Sequence, residues 1–122
     1  MDDFFDKVFG KQILLQRECN NGRLKKDDII KVYGHATAAI IELCEMLQCD
    51  TRWKKSITGS KKSPITNNDD FKEEWADAFI YLVNVAIYKG LTVDEIKNAV
   101  KTKQEINFAR MRGHSGGVDT NA

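Results

Sequence analysis

The chain has 122 residues, a formal net charge of +1 and 42% hydrophobic residues, which predicts one globular domain with a modest core. The near-zero charge gives no electrostatic reason to expect a nucleic acid or a membrane surface as a partner, and no apolar run approaches the ~20 residues of a membrane-spanning helix. The three cysteines are odd in number and irregular in spacing, so we expect a reduced protein in the cytoplasm.

Helical spacing of the hydrophobic residues continues through nearly the whole chain. The first part predicts two helices, over about residues 3–18 and about residues 26–48, which are separated by a turn rich in asparagine and glycine. Residues 49–66 are instead rich in lysine, serine and threonine, and they include Gly59 and Pro64. We therefore expect a long loop there, of the kind that is usually functional or disordered in compact domains.

Two further helices follow this loop. The third helix starts after residues 67–70, which offer several N-cap side chains, and ends at Gly90 in a typical C-cap position. Thr92 and Glu95 match the capping box, which predicts a fourth helix that continues to about Met111.

These elements predict an all-α fold, a four-helix bundle with short extra helices, over residues 1–112, followed by a flexible tail over residues 113–122. The third helix is apolar around most of its circumference, and such a helix needs packing partners on several sides. We therefore expect a homodimer or homotetramer that buries part of the central helices between subunits. The apolar residues of the third helix are Trp75, Phe79, Ile80, Leu82, Val83, Val85, Ala86 and Ile87.

Pairs of acidic residues interrupt the second and third helices. Glu42 and Glu45 are three residues apart, as are Glu74 and Asp77, so each pair lies on one helix face inside an apolar run. If the two helices pack side by side, four carboxylates meet, and four carboxylates in a dry site cannot all stay ionised without cations. All-oxygen ligation favours Mg²⁺, with Mn²⁺ as the alternative. The other interpretation is that the acids are solvated or salt-bridged on helix edges.

The acidic residues and their surroundings resemble a known family. "ELCE" from Glu42 to Glu45 and "EEWAD" from Glu73 to Asp77 are similar to the ExxE…EExxD signature of the all-α nucleoside triphosphate pyrophosphatases, which include dimeric dUTPases and MazG-like enzymes. Weaker similarities lie in the segments FDKVFGKQILLQ, RWKKS, DAFIYLVNVAIYKGLT and KTKQEINFARMRGHSGG. The resemblance covers roughly residues 4–117.

The resemblance implies hydrolysis of dUTP, between its α- and β-phosphates, to dUMP and pyrophosphate. Glu42, Glu45, Glu74 and Asp77 would be the catalytic and Mg²⁺-binding residues, with Glu42 as the candidate to orient or deprotonate the attacking water. The polar tail would close over the nucleotide. The other substrate-binding residues that the resemblance implies are Gln12 and Trp53 at the base, Tyr81 at the sugar, Lys54, Lys103 and Arg110 at the phosphates, and Asn84 and Asn107 near the nucleotide.

Several positions depart from the dUTPase pattern, among them Gln104, Ile80 and His114. The first alternative is accordingly a MazG-like house-cleaning pyrophosphatase acting on dCTP or modified nucleotides. The second is a non-enzymatic helical oligomeric adaptor with salt-bridged acids. Individual residues also keep a structural interpretation: Gln12 as an exposed helix residue, Tyr81 as core packing and Trp53 as a hydrophobic plug under the loop.

Overall fold

The helical periodicity becomes five helices in the computed structural model, which describes residues 3–59 and 61–116. They are α1 (Phe4–Cys19), α2 (Ile29–Gln48), α3 (Arg52–Thr58), α4 (Asn68–Lys89) and α5 (Val93–Gly116). No strand occurs within these residues, so the all-α prediction is confirmed. Over the same residues, no single helix combines the length and the hydropathy that crossing a membrane requires.

The helix boundaries follow from local capping. The Asp28 carboxylate accepts a hydrogen bond from the Lys31 N–H at 3.3 Å, which starts α2, and the Asn67 side chain accepts one from the Asp70 N–H at 3.1 Å, which starts α4. Gly90 ends α4 at a φ of 89°, a left-handed conformation that suits glycine. The starts and ends predicted for these two helices are thus correct to within about three residues.

The capping box at the start of α5 is formed as predicted. The Thr92 hydroxyl accepts a hydrogen bond from the Glu95 N–H at 3.1 Å, and the Glu95 carboxylate accepts one from the Thr92 N–H at 2.8 Å. The helix continues through Gly116, so residues 113–116 extend α5, whereas we expected them to begin the flexible tail. The rest of that predicted tail, residues 117–122, lies outside the described residues.

The prediction of a structureless loop over residues 49–66 is wrong, because α3 occupies its middle. Backbone pairing closes the segment at its base: the Thr51 N–H donates to the Ile65 carbonyl at 2.9 Å, and the Ile65 N–H donates to the Thr51 hydroxyl at 2.7 Å. Gly59 then ends α3 at a φ of 69°. The lysine-rich sequence of this helix has no apolar periodicity, which is why its pattern did not reveal it.

The chain divides into two compact units, Met1–Gly90 and Leu91–Ala122. In the first unit, α4 packs along α2 and against α1. A small core results, and its fully buried hydrophobic residues are Phe9, Ala39, Ala78, Val83, Ala86, Ile87 and Tyr88. The second unit contains α5. The division that we predicted, between residues 1–112 and 113–122, stays a prediction.

One face of α2 is apolar and exposed. Its residues recur at alternating intervals of three and four, the spacing of a coiled-coil contact line, and we call this face the α2 seam. Tyr33 is 63% exposed and Ile40 is 61% exposed. Cys44 is exposed on the same face. The seam consists of Ile30, Tyr33, Thr37, Ile40, Cys44 and Leu47.

The outer face of α4 is also incompletely covered. Trp75 is 55% exposed and stacks nearly parallel on Phe79, with their ring centroids 5.6 Å apart, and Leu82 is 57% exposed. Val83 and Ala86 are buried, whereas Leu82 is not. The excess of apolar surface that motivated the prediction of an oligomer is therefore present on both long helices.

Candidate functional site

The packing of α2 against α4 brings the predicted acidic residues together. One carboxylate oxygen from each of Glu42, Glu45 and Glu74 lies within 4.8 Å of the other two. Asp77 follows Glu74 by three residues on the same face of α4 and is one of the neighbours that raise the pKa of Glu74. These four residues are the acid cluster.

The pKa of Glu42 is strongly raised by its surroundings in the acid cluster. A hydrogen bond with Glu45, then burial, then the negative charges of Glu45, Glu74 and Asp77 raise the pKa of Glu42 to about 7. Burial and the neighbouring Glu45 and Asp77 likewise raise the pKa of Glu74. The Oε2 atom of Glu42 is hidden from solvent and has no hydrogen-bond partner among the described residues. A buried oxygen of this kind lacks the interaction that normally compensates for lost water.

The negative field extends beyond the cluster. Burial raises the pKa of the Cys49 thiol, and the charges of Asp70, Glu74, Glu45 and Glu73 raise it further. The ion pairs of residues 3–59 and 61–113 lie elsewhere, so they do not neutralise the cluster. They join Lys7 to Asp3, Arg52 to Asp50, Lys72 to Asp69 and Lys89 to Asp27.

A cavity of about 560 Å³ opens beside the cluster, between α1, α2 and α4. Glu42 and Asp77 both line it. The remaining lining is mostly uncharged, with Lys31 as its one cation. The uncharged polar and aromatic residues of the lining are Gln12, Gln16, His35, Tyr81, Asn84 and Tyr88. A cavity that joins carboxylates to neutral hydrogen-bonding groups suits a ligand with one charged part and one polar, planar part.

A chain of side-chain hydrogen bonds crosses the cavity wall. The Gln12 amide donates to Asn84 Oδ1 at 2.9 Å, and the Asn84 amide donates to His35 Nδ1 at 3.3 Å. Gln12 is only 9% exposed and Asn84 only 3% exposed, so these bonds are formed away from bulk water. We call this chain the amide relay. The interpretation of Gln12 as an exposed helix residue is wrong, because α4 covers it.

A second network supports the same wall. The Tyr88 hydroxyl donates to Gln16 Oε1 at 2.5 Å and accepts from the Asn20 amide at 2.7 Å. Tyr88 is 1% exposed, and its ring stacks on His35 with their centroids 4.9 Å apart. The two networks hold the three helices in register around the cavity.

The structure brings some predicted substrate-binding residues to the acid cluster and leaves others apart. Gln12, Tyr81 and Asn84 line the same cavity as Glu42 and Asp77. Trp53 and Lys54 do not belong to this lining. The Trp53 indole N–H donates to the Leu47 carbonyl at 2.8 Å, and the Lys54 ammonium lies 5.7 Å from the Trp53 ring centroid. Lys54 lines a separate cavity of about 250 Å³ beside α3.

The remaining predicted residues, Lys103, Asn107 and Arg110, are carried by α5 in the second unit. Lys103 lines an open groove along α5 itself. Their roles at the phosphates and near the nucleotide stay predictions.

Helical spacing in the sequence also relates the predicted site residues to His35, Gln16 and Tyr88, which line the cavity but were not predicted to do so. His35 precedes Glu42 by two helical turns, and Gln16 follows Gln12 by one turn. Tyr88 follows Asn84 by four residues and Tyr81 by seven. The same helical spacing that linked the acids into pairs therefore extends along each helix to the polar residues that line the cavity.

Comparisons of this chain with protein-family models, with curated proteins and with solved structures find no match.

Proposed function

We propose that this chain is a Mg²⁺-dependent nucleoside triphosphate pyrophosphohydrolase, which converts a deoxynucleoside triphosphate, dUTP in the first place, to the monophosphate and pyrophosphate. The observation that carries the proposal is the convergence of Glu42, Glu45 and Glu74 within 4.8 Å, beside a cavity that Glu42 and Asp77 share with neutral polar side chains. This arrangement accords with the resemblance of the two acidic motifs to the all-α pyrophosphatases.

The acid cluster fits a hard divalent cation. Its donors are carboxylate oxygens, which Mg²⁺ and Mn²⁺ prefer over softer ligands. Glu42 Oε2 is hidden and unpartnered, and the negative charges of Glu45, Glu74 and Asp77 around Glu42 are ones that a cation would offset. Glu42, Glu45, Glu74 and Asp77 would hold the ion. When bound, Mg²⁺ supplies positive charge against the phosphates and lowers the pKa of a coordinated water.

The chain's own residues supply the other requirements of the reaction. Glu42 lines the cavity beside the acid cluster, which supports it as the residue that orients or deprotonates the attacking water. The buried relay of Gln12 and Asn84 fixes one wall of the cavity for a planar base. Tyr81 lies in the same lining and is placed to contact the sugar.

One observation weighs against the adaptor alternative. The adaptor interpretation requires salt-bridged acids, and the ion pairs of residues 3–59 and 61–113 lie outside the acid cluster. The MazG-like interpretation differs in the base. A site that bonds O4 and N3–H of uracil rejects cytosine at about 1–3 kcal/mol for each reversed hydrogen bond. Thymine differs from uracil by one methyl group, which shape alone must exclude. We therefore expect stronger discrimination of dUTP against dCTP than against dTTP.

We also propose that the active form is a cytoplasmic homodimer or homotetramer. The exposed α2 seam and the exposed Trp75 and Leu82 of α4 support an assembly through the central helices.

A turnover panel over the common dNTPs and NTPs tests the function, with pyrophosphate release measured with and without Mg²⁺. The proposal predicts Mg²⁺-dependent release, which Glu45→Gln and Asp77→Asn abolish while the helical circular dichroism persists. Asp69→Asn is the matched control, because it removes a carboxylate from the same helix at an exposed position paired with Lys72. Near-normal activity in Glu45→Gln or Asp77→Asn would contradict a shared metal site.

A further inference from the structure

His35 is a cavity residue that the acidic motifs do not account for. It lies on α2 and lines the cavity together with Glu42. One face of its ring stacks on Tyr88 at an interplanar angle of 24°, and Tyr81 lies nearby with the ring centroids 5.7 Å apart. The imidazole is therefore held in place by aromatic neighbours, and its ring nitrogens decide what it offers to a ligand.

The amide relay determines which nitrogen of His35 carries the proton. The Asn84 Nδ2 group is only a donor, so His35 Nδ1 must accept with its lone pair. The orientation of the Asn84 amide is set in turn by Gln12, whose Nε2–H donates to Asn84 Oδ1. A neutral imidazole that accepts at Nδ1 carries its proton on Nε2.

The surroundings of His35 favour the neutral ring. Burial lowers the pKa of His35, and the positive charge of Lys31 lowers it further. The other groups facing it, from α1 and α4, are the uncharged Gln12, Asn84, Tyr81 and Tyr88, while Glu42 and Asp77 line the same cavity. Geometry and charge therefore agree on a neutral ring with an Nε2–H donor.

The cavity wall keeps unused hydrogen-bonding atoms. Gln12 Oε1, Gln16 Nε2 and His35 Nε2 make no hydrogen bond among the described residues. Each of these three atoms has some contact with solvent, because Glu42 Oε2 is the one side-chain N or O atom of the described residues that is both fully buried and without a partner. Gln16 is nonetheless only 6% exposed and Gln12 only 9% exposed, so their free atoms face the cavity that they line. The wall thus offers one carbonyl acceptor and two kinds of N–H donor.

We propose that His35 is a specificity-determining residue that donates through Nε2–H to a carbonyl group of a pyrimidine base, and that the Gln12–Asn84 relay holds it in this donor form. The donors His35 and Gln16 and the acceptor Gln12 complement a ring with two carbonyls flanking an N–H, the imide of uracil and thymine. Cytosine presents an amino group and a bare ring nitrogen, so it would face His35 with a donor against a donor. This assignment rests on the proposed function, because it takes the cavity to be a nucleotide site.

Binding of product nucleotides separates base reading from catalysis. Isothermal titration calorimetry of the full chain with dUMP, dTMP and dCMP requires neither turnover nor a metal. We expect dUMP to bind about 100-fold more tightly than dCMP. His35→Phe retains a ring against Tyr88 but has no N–H. This variant should reduce the ratio of the two affinities about tenfold, which is the effect of one hydrogen bond. His35→Gln places an amide N–H near the position of Nε2 and should restore most of the ratio. Asp69→Asn, at an exposed position paired with Lys72, should leave this ratio unchanged.

The relay itself has a spectroscopic signature. The chain contains two histidines, so comparison with His35→Phe assigns the ¹⁵N resonances of His35. The wild type should show a protonated Nε2 and an unprotonated Nδ1 at pH 7.5. Asn84→Asp replaces the donor with an acceptor, and it should move the proton to Nδ1 and raise the pKa of His35. A purely structural role for Asn84 would leave the tautomer unchanged.

The outcomes distinguish this inference from the proposed function. Suppose that turnover depends on Mg²⁺ but His35→Phe leaves the ratio of dUMP affinity to dCMP affinity unchanged. This result would overturn the role of His35 and would leave the proposed hydrolase function standing. Selective binding of dUMP through His35 without turnover of any nucleotide would support the base-reading role and overturn the hydrolase. A wild-type ring protonated at Nδ1, or equal affinity for the three monophosphates, would overturn the inference.

Discussion

Divalent-metal binding by the acid cluster should depend steeply on pH, because Glu42 must lose its proton before it can ligate. The pKa of Glu42 is raised to about 7, so the carboxylate is largely ionised at pH 8 and largely protonated at pH 6. For a pKa near 7, about nine tenths of the group is ionised at pH 8 and about one tenth at pH 6, which weakens metal affinity about tenfold over this interval.

Calorimetric titration of the metal-free protein with Mg²⁺, or with Mn²⁺ followed by paramagnetic resonance, measures this affinity directly. Repeating the titration in buffers of different ionisation enthalpy counts the protons released on binding. We expect about half a proton per metal ion at pH 7 and about a tenth at pH 8, since that is the fraction of Glu42 still protonated. Glu42→Gln should lose both the tight binding and the proton release, whereas Asp69→Asn should keep them. Affinity that is equal at pH 6 and pH 8 would refute the reasoning.

The raised pKa of Glu42 also determines how the stability of the metal-free protein changes with pH. Between pH 4.5, the ordinary pKa of a glutamate, and about pH 7, the folded chain holds more protons at Glu42 than the unfolded chain does. The stability of the metal-free protein therefore falls as the pH rises through this window, and the full penalty is present above it. Glu42→Gln should raise the melting temperature at pH 8 without metal and should abolish the stabilisation by Mg²⁺. His35 contributes with the opposite sign, because its lowered pKa reduces stability as the pH falls below 6.5.

Three further predictions concern packing, assembly and capping. Tyr88→Phe removes a buried hydroxyl that serves two partners, so it should lower the free energy of unfolding in chemical denaturation by about 1–3 kcal/mol. Ile40→Glu places a charge in the middle of the α2 seam and should dissociate the proposed oligomer in light scattering; a wild-type monomer at micromolar concentration would contradict the assembly. Thr92→Ala breaks the capping box and should destabilise the start of α5 by about 1 kcal/mol, seen as faster amide exchange in its first turns, and unchanged exchange there would show that the cap is dispensable.

The sequence alone determined the features that depend on short-range spacing. Helical periodicity, the N-cap side chains of residues 67–70, Gly90 and the capping box at Thr92 predicted where the long helices begin and end, because each cap acts on backbone groups within one turn. The three-residue spacing within each acidic pair likewise placed both carboxylates on one face of their helix. The same periodicity could also have linked His35 to Glu42, had uncharged residues been followed as the acids were.

Tertiary structure decided everything that depends on which helix faces meet. The segment that contains α3 is closed at its base by Thr51 and Ile65, fourteen residues apart, through a backbone hydrogen bond and a bond from the Ile65 N–H to the Thr51 hydroxyl. Gln12 is buried only because α4 covers it, and the proton of His35 is directed to Nε2 only because Asn84 lies across the cavity on another helix. The raised pKa of Glu42 has a local cause, the hydrogen bond with Glu45 on the same helix, and tertiary causes, which are burial and the charges of Glu74 and Asp77 on α4. The tertiary causes arise from distances between segments that only the packed helices define.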